Sequence, residues 1–241
     1  MSTIALITGA NQGIGLATAT RLAKDHDYHV IIGSRNSAAG EKAAKAIEAE
    51  GGKASSIQLD LTSDDSITAA AKTIETRFGR LDILVNNAAI LLDGKDPKLS
   101  LRDMLTRTLE TNVIGTACVT KAMLPLLRKS ALPRVVFVSS RMGSLGLATD
   151  RSTMWYAIDY KTYDASKAAL NMLALNYSRE LEGTGARVNV ACPGLIKTNL
   201  TQYHKYGGQP EDGARRIVEL ATLGKDGPTE TFSNSEGLIP W

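Results

Sequence analysis

The sequence predicts an α/β fold in which one parallel sheet is covered by helices on both faces. Short apolar segments alternate with longer helix-like segments along most of the chain, and the apolar segments are nearly continuous rather than alternating in polarity. Such strands are typical of a sheet that is buried on both faces. The repeated strand–helix–strand order favours right-handed crossovers and therefore a doubly wound parallel sheet.

Each element has its own local signal. The predicted strands cover residues 4–7, 30–32, 56–59, 83–85, 135–138 and 188–190, and the predicted helices cover about 14–24, 37–50, 64–78, 101–128, 163–182 and 210–222. Asn36 or Ser37 can cap the second helix, while Gly51 and Gly79 follow the second and third. Pro125 is expected to end or kink the fourth helix near its last turn.

The remaining segments fit one domain over residues 1–241, because no linker, repeat or low-complexity stretch divides the chain. Residues 141–162 are predicted to form a long loop or to contain a short helix. A segment at about 195–222 would lie on the substrate side of the site. Beyond the helix at 210–222, the tail is rich in Gly, Pro and Ser and gives no clear prediction.

Composition excludes several functional classes. The net charge is +3 and no Lys/Arg block is present, which argues against a nucleic-acid partner. No apolar run approaches the ~18 residues of a membrane span, and no signal peptide is evident. The three histidines lack metal-ligand spacing, so no metal is expected. Cys118 and Cys192 lie in apolar surroundings and are expected to be buried free thiols, which favours a cytoplasmic location.

The first predicted strand leads directly into a glycine-rich turn, Thr8-Gly9-Ala10-Asn11-Gln12-Gly13-Ile14-Gly15. Glycines permit a tight turn and let backbone N–H groups approach a phosphate, and the following helix directs its positive end toward that anion. The alternative is a tight strand–helix turn that binds nothing.

Tyr163 stands four residues before Lys167 in a predicted helix, so the two side chains leave the same face. A neighbouring ammonium favours the phenolate and is expected to lower the pKa of the phenol. The pair is therefore a candidate general acid/base unit, although Tyr-x-x-x-Lys also occurs by chance on surface helices.

The Gly-x-x-x-Gly-x-Gly spacing together with the distant Tyr-x-x-x-Lys resembles the short-chain dehydrogenase/reductase family, from Thr3 to about Leu200. The resemblance implies a Rossmann-like fold and hydride transfer with a nicotinamide dinucleotide. It extends to Asp60-Leu61, to Asn86-Asn87-Ala88-Ala89 and to Pro193-Gly194-Leu195-Ile196-Lys197-Thr198. The implied cofactor contacts are Gly9, Asn11, Gln12, Gly13, Ile14, Gly15, Asp60, Leu61, Asn86, Ala88, Tyr163, Lys167, Pro193, Gly194, Ile196 and Thr198.

The end of the second strand indicates which dinucleotide is used. It reads Gly33-Ser34-Arg35-Asn36 and has no acidic residue for the ribose hydroxyls. Arg35 instead offers donors suited to a 2′-phosphate, so NADP(H) is expected, with Ser34 and Asn36 nearby. Gln12 replaces the basic residue that many NADP-preferring members carry before the second glycine.

The resemblance also assigns the catalytic roles. Ser140 would hold the substrate oxygen, Tyr163 would transfer the proton, and Lys167 would lower the Tyr163 pKa and reach the nicotinamide ribose. Asn112 would kink its helix and bind a water that connects to Lys167. An asparagine in mid-helix is unfavourable by propensity, which independently suggests a role.

The separation of Ser140 from Tyr163 exceeds that of ordinary members, and the long 141–162 loop resembles the carbonyl reductase branch. A neutral, fairly apolar aldehyde, ketone or quinone is therefore the expected small-molecule substrate. The residues expected to line its cleft are Met142, Leu145, Leu147, Met154, Trp155, Tyr156, Leu195 and Tyr203. An oxidative NAD(P)-dependent alcohol dehydrogenase and a non-catalytic dinucleotide sensor are the alternatives, and both monomer and homodimer stay open.

Overall fold

The computed structural model describes residues 2–95 and 97–241, and only the backbone of Met154. In this part of the chain, seven strands form one sheet in the order β3-β2-β1-β4-β5-β6-β7, and every neighbouring pair is parallel. This confirms the predicted doubly wound parallel sheet. The strands are β1 Ile4–Thr8, β2 His29–Ser34, β3 Lys53–Gln58, β4 Ile83–Asn86, β5 Arg134–Val138, β6 Arg187–Ala191 and β7 Phe232–Ser233.

Helices connect the strands and lie close to the predicted ranges. They are α1 Gly13–Asp25, α2 Ser37–Ala49, α3 Asp64–Phe78, α4 Leu101–Leu109, α5 Thr116–Leu127, the short α6 Leu145–Ala148, α7 Lys161–Glu180 and α8 Pro210–Ala221. Asn36 caps α2 by accepting a hydrogen bond from the Ala39 amide, and Gly79 ends α3 in the left-handed conformation at φ 73°. No helix in the described ranges is both long and apolar enough to cross a bilayer.

Two apolar cores explain why both faces of the sheet are covered. On one face, Leu6, Leu84 and Phe137 pack in a cluster with side chains of α3, α5 and α7. On the other face, Ile7 and Val85 pack in a cluster with side chains of α1, α2 and α8. Successive residues of a strand point to opposite faces, so each central strand contributes to both cores and has to be apolar throughout.

The structure adds one strand that was not predicted and gives a definite form to two predicted segments. The two-residue strand β7 was not predicted, and it pairs with β6 through Val190 and Ala191. The predicted fourth helix is divided by a π-helical segment, Glu110–Gly115, and it continues through Pro125 to Leu127. The long loop contains two 3₁₀ turns, Arg141–Gly143 and Met154–Ala157, as well as α6.

The sheet order places the functional region. The chain proceeds outward from β1 to β3 and then returns to the other side of β1 at β4. In open parallel sheets a ligand binds beside such a switch point, outside the carboxyl ends of the strands. The glycine turn follows β1, and Asn87 and Ala88 follow β4, so both lie at this point.

Candidate active site

A cleft of about 590 Å³ lies at the carboxyl ends of the strands. Three of the four predicted catalytic residues, Ser140, Tyr163 and Lys167, border it. The predicted cofactor residues that border it are Gly9, Asn11, Gln12, Gly13, Ile14, Gly15, Arg35, Asp60, Leu61, Ala88, Pro193, Gly194, Ile196 and Thr198. The structure therefore brings together segments that are up to 189 residues apart, from Gly9 to Thr198.

The glycine turn is built for close backbone approach. Gly9 and Gly13 have φ angles of 63° and 57°, which favour glycine. A Cβ atom on Gly15 would lie 2.5 Å from Asn87 Nδ2 and 2.7 Å from the Gly9 carbonyl oxygen, so a side chain does not fit there. The absence of a side chain at Gly15 therefore allows α1 to begin close to the strand ends.

The N-terminus of α1 fits a pyrophosphate. No side chain caps this helix and its first turn has no acidic residue, whereas α2, α3 and α4 are capped by Asn36, Ser63 and Ser100. The backbone N–H groups that begin α1 are therefore left for an anion in the cleft, where the helix dipole also favours negative charge.

Two charged side chains, Arg35 and Asp60, border the cleft near the ends of β2 and β3. Arg35 is exposed and borders the cleft. The carboxylate of Asp60 accepts hydrogen bonds from the Thr62 amide at 3.0 Å and the Thr62 hydroxyl at 2.8 Å. These bonds hold the pKa of Asp60 below its usual value, so the group is ionised at neutral pH.

Three predicted cofactor residues do not border the cleft. Ser34 is buried and its hydroxyl donates to the Asn36 carbonyl at 2.9 Å, while the Asn36 side chain caps α2. Asn86 is buried and donates to the Thr120 hydroxyl at 2.9 Å. The side chains of all three make local hydrogen bonds in the structure.

Asn87 borders the cleft in place of Asn86. Its side-chain amide donates to the carbonyl oxygens of Thr8 and Gly9 at 2.9 and 3.3 Å. The Thr8 hydroxyl in turn accepts hydrogen bonds from the amides of Asn87 and Ala88 at 3.0 and 2.9 Å. These bonds fasten the end of β4 to the glycine turn.

Tyr163 lies in the first turn of α7 and is only 9% exposed. The nearby Ser140 hydroxyl favours the ionised form of the phenol and so acts to lower its pKa. Burial nevertheless raises the pKa of Tyr163 far above its ordinary value, and the nearby Cys192 and Asp164 side chains act in the same direction. The phenol therefore carries its proton at neutral pH.

Lys167 lies one turn further along the same helix. Its ammonium donates to the Val138 carbonyl at 2.8 Å and lies 5.5 Å from the centre of the Tyr163 ring. Burial lowers the pKa of Lys167 to about 8. The expected lowering of the Tyr163 pKa does not appear in the protein alone, because desolvation of the buried phenol dominates.

Asn112 does not border the cleft but lies behind it, in the π-helical segment. Its side chain accepts from the Ile90 amide at 2.8 Å and donates to the Ile90 carbonyl at 2.9 Å and to the Ser166 hydroxyl at 3.0 Å. The local departure from α-helical geometry was expected at this position. Gly115 ends the segment, and a Cβ there would collide with the Leu61 carbonyl oxygen.

Asp93 supports the first turn of α7, a contact that sequence analysis did not predict. Its buried carboxylate accepts hydrogen bonds from the Thr162 amide at 3.0 Å, the Thr162 hydroxyl at 2.5 Å and the Tyr163 amide at 3.1 Å. No residue beside α7 caps the helix with its side chain, so this distant carboxylate provides the cap. It thereby fixes the turn that carries Tyr163.

We expect Asp93→Ala to lower kcat by about tenfold, because a lost charge-assisted cap lets the first turn of α7 and Tyr163 move. Asp93→Asn keeps one acceptor oxygen and is expected to recover most of the rate. The measurement is steady-state kinetics of both variants beside thermal unfolding. Equal rates for Asp93→Ala and the wild type would contradict the positioning role.

The substrate end of the cleft is apolar. Met142, Trp155, Leu195 and Tyr203 border the cleft as predicted, whereas Leu147 and Tyr156 border a smaller adjoining pocket. Leu145 is 72% exposed and borders neither, which corrects its assignment, and the side chain of Met154 lies outside the described residues. The tail adds residues that were not predicted, Asn234, Ser235 and Glu236.

Comparisons with known proteins show which family this chain resembles. A family model described as short chain dehydrogenase matches residues 3–207. The short-chain dehydrogenase anuI of Penicillium roqueforti is 41% identical over 238 residues, which cover 95% of this chain and 91% of that protein. Carbonyl reductase (NADPH) 1 of Sus scrofa is 30% identical over 275 aligned positions, covering 99% of this chain and 94% of that protein.

A solved structure agrees with the fold. The crystal structure of a metagenomic short-chain oxidoreductase in complex with NADP has a TM-score of 0.76 and 26% identity, and the match covers 99% of this chain and 97% of that one. Since the family match spans most of the chain and the identity to a relative reaches 41%, the protein belongs to the short-chain dehydrogenase family of oxidoreductases, which bind a nicotinamide dinucleotide.

Proposed function

We propose that this protein is an NADPH-dependent reductase of the carbonyl group in a neutral, fairly apolar aldehyde, ketone or quinone. The observation that carries the proposal is the pair of Ser140 and Tyr163, which borders the same cleft as the uncapped N-terminus of α1. The pair can handle a carbonyl oxygen, and the helix end can hold a dinucleotide phosphate.

The catalytic roles follow from the chemistry of the side chains. When bound, the nicotinamide supplies the hydride that reduces the carbonyl carbon. The Ser140 hydroxyl donates a hydrogen bond to the carbonyl oxygen and stabilises the negative charge that develops there. Tyr163 transfers its phenolic proton to that oxygen, and the Lys167 ammonium stabilises the phenolate that is left.

The protonation state of Tyr163 favours the reductive direction. Because burial raises its pKa, the phenol is protonated at neutral pH and can act directly as the acid. Oxidation of an alcohol would instead require the phenolate, which is scarce under the same conditions.

Arg35 supports NADPH over NADH. It is exposed at the adenosine end, and the second strand offers no carboxylate at its end to bond the ribose hydroxyls. Similarity to a carbonyl reductase named for NADPH and to a structure solved with NADP supports the same choice. A guanidinium binds a phosphate through charge-assisted hydrogen bonds.

We expect Arg35→Asp to weaken NADPH binding about 50-fold and NADH binding less than threefold, because the substitution removes a phosphate contact and adds repulsion. Fluorescence titration of both dinucleotides measures the two dissociation constants. Equal losses of affinity for NADPH and NADH would overturn the assignment of NADPH. The matched control for an acidic substitution is Lys42→Asp, on the exposed face of α2.

The proposed activity is tested by following the near-ultraviolet absorbance of NADPH with a panel of aldehydes, ketones and quinones. Oxidation of NADPH that depends on the carbonyl compound supports the proposal. Tight binding of NADPH without turnover on any compound would instead favour the dinucleotide sensor.

We also propose that residues 1–241 form one catalytic domain, because β1 and β7 belong to the same sheet. The substrate-side segment at about 195–222 is consistent with this, since Leu195 and Tyr203 border the cleft. We expect the protein to act in the cytoplasm, where thiols stay reduced, since both described cysteines are free thiols. We expect it to be a monomer or a homodimer.

A further inference from the structure

A second, smaller pocket adjoins the substrate end of the cleft. It has a volume of about 210 Å³ and shares Arg141, Met142, Trp155 and Ile158 with the cleft. The other residues that line it are Leu147, Ala148, Thr153, Tyr156 and Asp164. We call it the side pocket. Its wall combines apolar side chains with two charged residues, Arg141 and Asp164.

Asp164 directly follows the catalytic Tyr163 and is half-buried in the side pocket. Its Oδ1 atom is buried and has no hydrogen-bond partner in the described part of the chain. A buried acceptor without a partner is unfavourable, and a ligand donor would relieve that cost. Rotation about the Cβ–Cγ bond is soft and can turn either carboxyl oxygen toward the pocket.

Burial raises the pKa of Asp164 to about 7, and the nearby negative charges of Asp93 and Asp159 act in the same direction. The Tyr160 backbone provides a hydrogen bond that partly opposes these effects. The carboxyl group is therefore less well solvated and less well paired than an ordinary surface aspartate.

Arg141 directly follows Ser140 and borders both spaces. Its guanidinium lies 5.5 Å from the centre of the Trp155 ring, and it has no ion pair with any carboxylate in residues 2–95 and 97–241. Its backbone amide donates to Cys192 Sγ at 3.2 Å, which holds the residue at the strand end. The side pocket thus contains a donor group, an aromatic face and an acceptor group.

We propose that the side pocket is a substrate subsite for the hydroxyl group of a hydroxylated aromatic ketone. The hydroxyl donates to the Asp164 carboxyl group and the aromatic ring packs against Trp155, while the carbonyl of the same molecule reaches Ser140 and Tyr163. This inference rests on the proposed carbonyl reductase function and names the substrate class more narrowly.

The chemistry of the pocket selects a hydroxyl group over charged alternatives. A substrate carboxylate is attracted by Arg141 but repelled by Asp164, and a substrate ammonium is attracted by Asp164 but repelled by Arg141, so neither ion gains from both groups. A hydroxyl is neutral, and it can donate to the carboxyl group and accept from the guanidinium at the same time. Its aromatic body also suits a wall formed by Trp155, Met142 and Ile158.

The test is calorimetric titration of the full chain in the presence of NADP⁺, which does not reduce the ketone. The ligands are acetophenones with a hydroxymethyl group at the meta or para position, each compared with its methyl ether. The ether keeps the acceptor oxygen but lacks the donor and is larger by one methyl group, so the Asp164 variants are needed to separate the lost hydrogen bond from the added size. A solution at about pH 8 keeps the carboxyl group ionised.

We expect the wild type to bind at least one alcohol about tenfold more tightly than its ether, which is the effect of one buried hydrogen bond. Asp164→Ala should bring that ratio to about one. Asp164→Asn keeps an acceptor oxygen and should give an intermediate ratio, and it serves if the alanine variant does not fold. Asp159→Asn, which removes a nearby exposed carboxylate, should keep the wild-type ratio.

A wild-type ratio near one for every pair, or an unchanged ratio in both Asp164 variants, would overturn the subsite. The result for the subsite can be distinguished from the result for the proposed reductase function. Ketones that are reduced without any preference for the hydroxyl would remove the subsite and leave the function. Preferential binding without any oxidation of NADPH would leave the subsite and remove the function.

Discussion

Tyr163→Phe is expected to lower kcat by about 10³-fold or more while the dissociation constant of NADPH changes less than threefold. The substitution removes only the hydroxyl that transfers the proton, and general acid catalysis contributes about 10²–10⁴-fold to such reactions. The ring is buried and keeps its packing beside Lys167, so the cleft keeps its shape. Steady-state kinetics and fluorescence titration of NADPH measure the two effects separately.

The matched control is Tyr177→Phe on the same helix. The Tyr177 hydroxyl donates to the Ala117 carbonyl at 2.7 Å and does not border the cleft. We expect this variant to unfold more easily, by about 1 kcal/mol, with little change in kcat. If Tyr163→Phe kept more than a tenth of the wild-type rate, Tyr163 would not be the proton donor.

The sheet and its helices could be predicted because their signals are local. Continuous apolar segments identified six of the seven strands, and caps such as Asn36 and Gly79 fixed helix ends within a few residues. β7 contains only Phe232 and Ser233, which is too short to give a pattern. It is a strand because Val190 and Ala191 lie beside it, and that is a tertiary contact.

The glycine turn and the Tyr163–Lys167 pair could be predicted because each is a motif of a few neighbouring residues. The choice between Asn86 and Asn87 could not, because adjacent residues at a strand end point to opposite sides. Asn86 turns toward Thr120, while Asn87 turns toward the glycine turn. Asp93 was missed because its partner, Tyr163, lies 70 positions further along the chain.

The direction of the Tyr163 pKa depends on burial, which the sequence does not give. Helical spacing correctly placed Lys167 beside the phenol, and an exposed pair would have shown the expected lowering. In the structure both groups are buried, so desolvation raises the pKa of Tyr163 and lowers that of Lys167 to about 8. Each shift favours the uncharged form of its group.

Lys167→Met is expected to lower kcat/KM for reduction by about 10²–10³-fold. Once Tyr163 has transferred its proton, it becomes a phenolate in a buried site, where an unpaired charge is strongly unfavourable. The Lys167 ammonium is the cation beside it, 5.5 Å from the ring centre. Without that ammonium the developing negative charge is stabilised only by Ser140. Lys161→Met, at an exposed position of the same helix, is the control.

The role of the Lys167 ammonium also predicts how kcat/KM depends on pH. Because burial lowers the pKa of Lys167 to about 8, the ammonium is present below that pH and is lost as the pH rises through it. We therefore expect kcat/KM of the wild type to fall as the pH rises through about 8. Lys167→Arg keeps its charge up to about pH 12, so its remaining activity should fall only at a distinctly higher pH. Identical profiles for the wild type and Lys167→Arg would show that another group controls the fall.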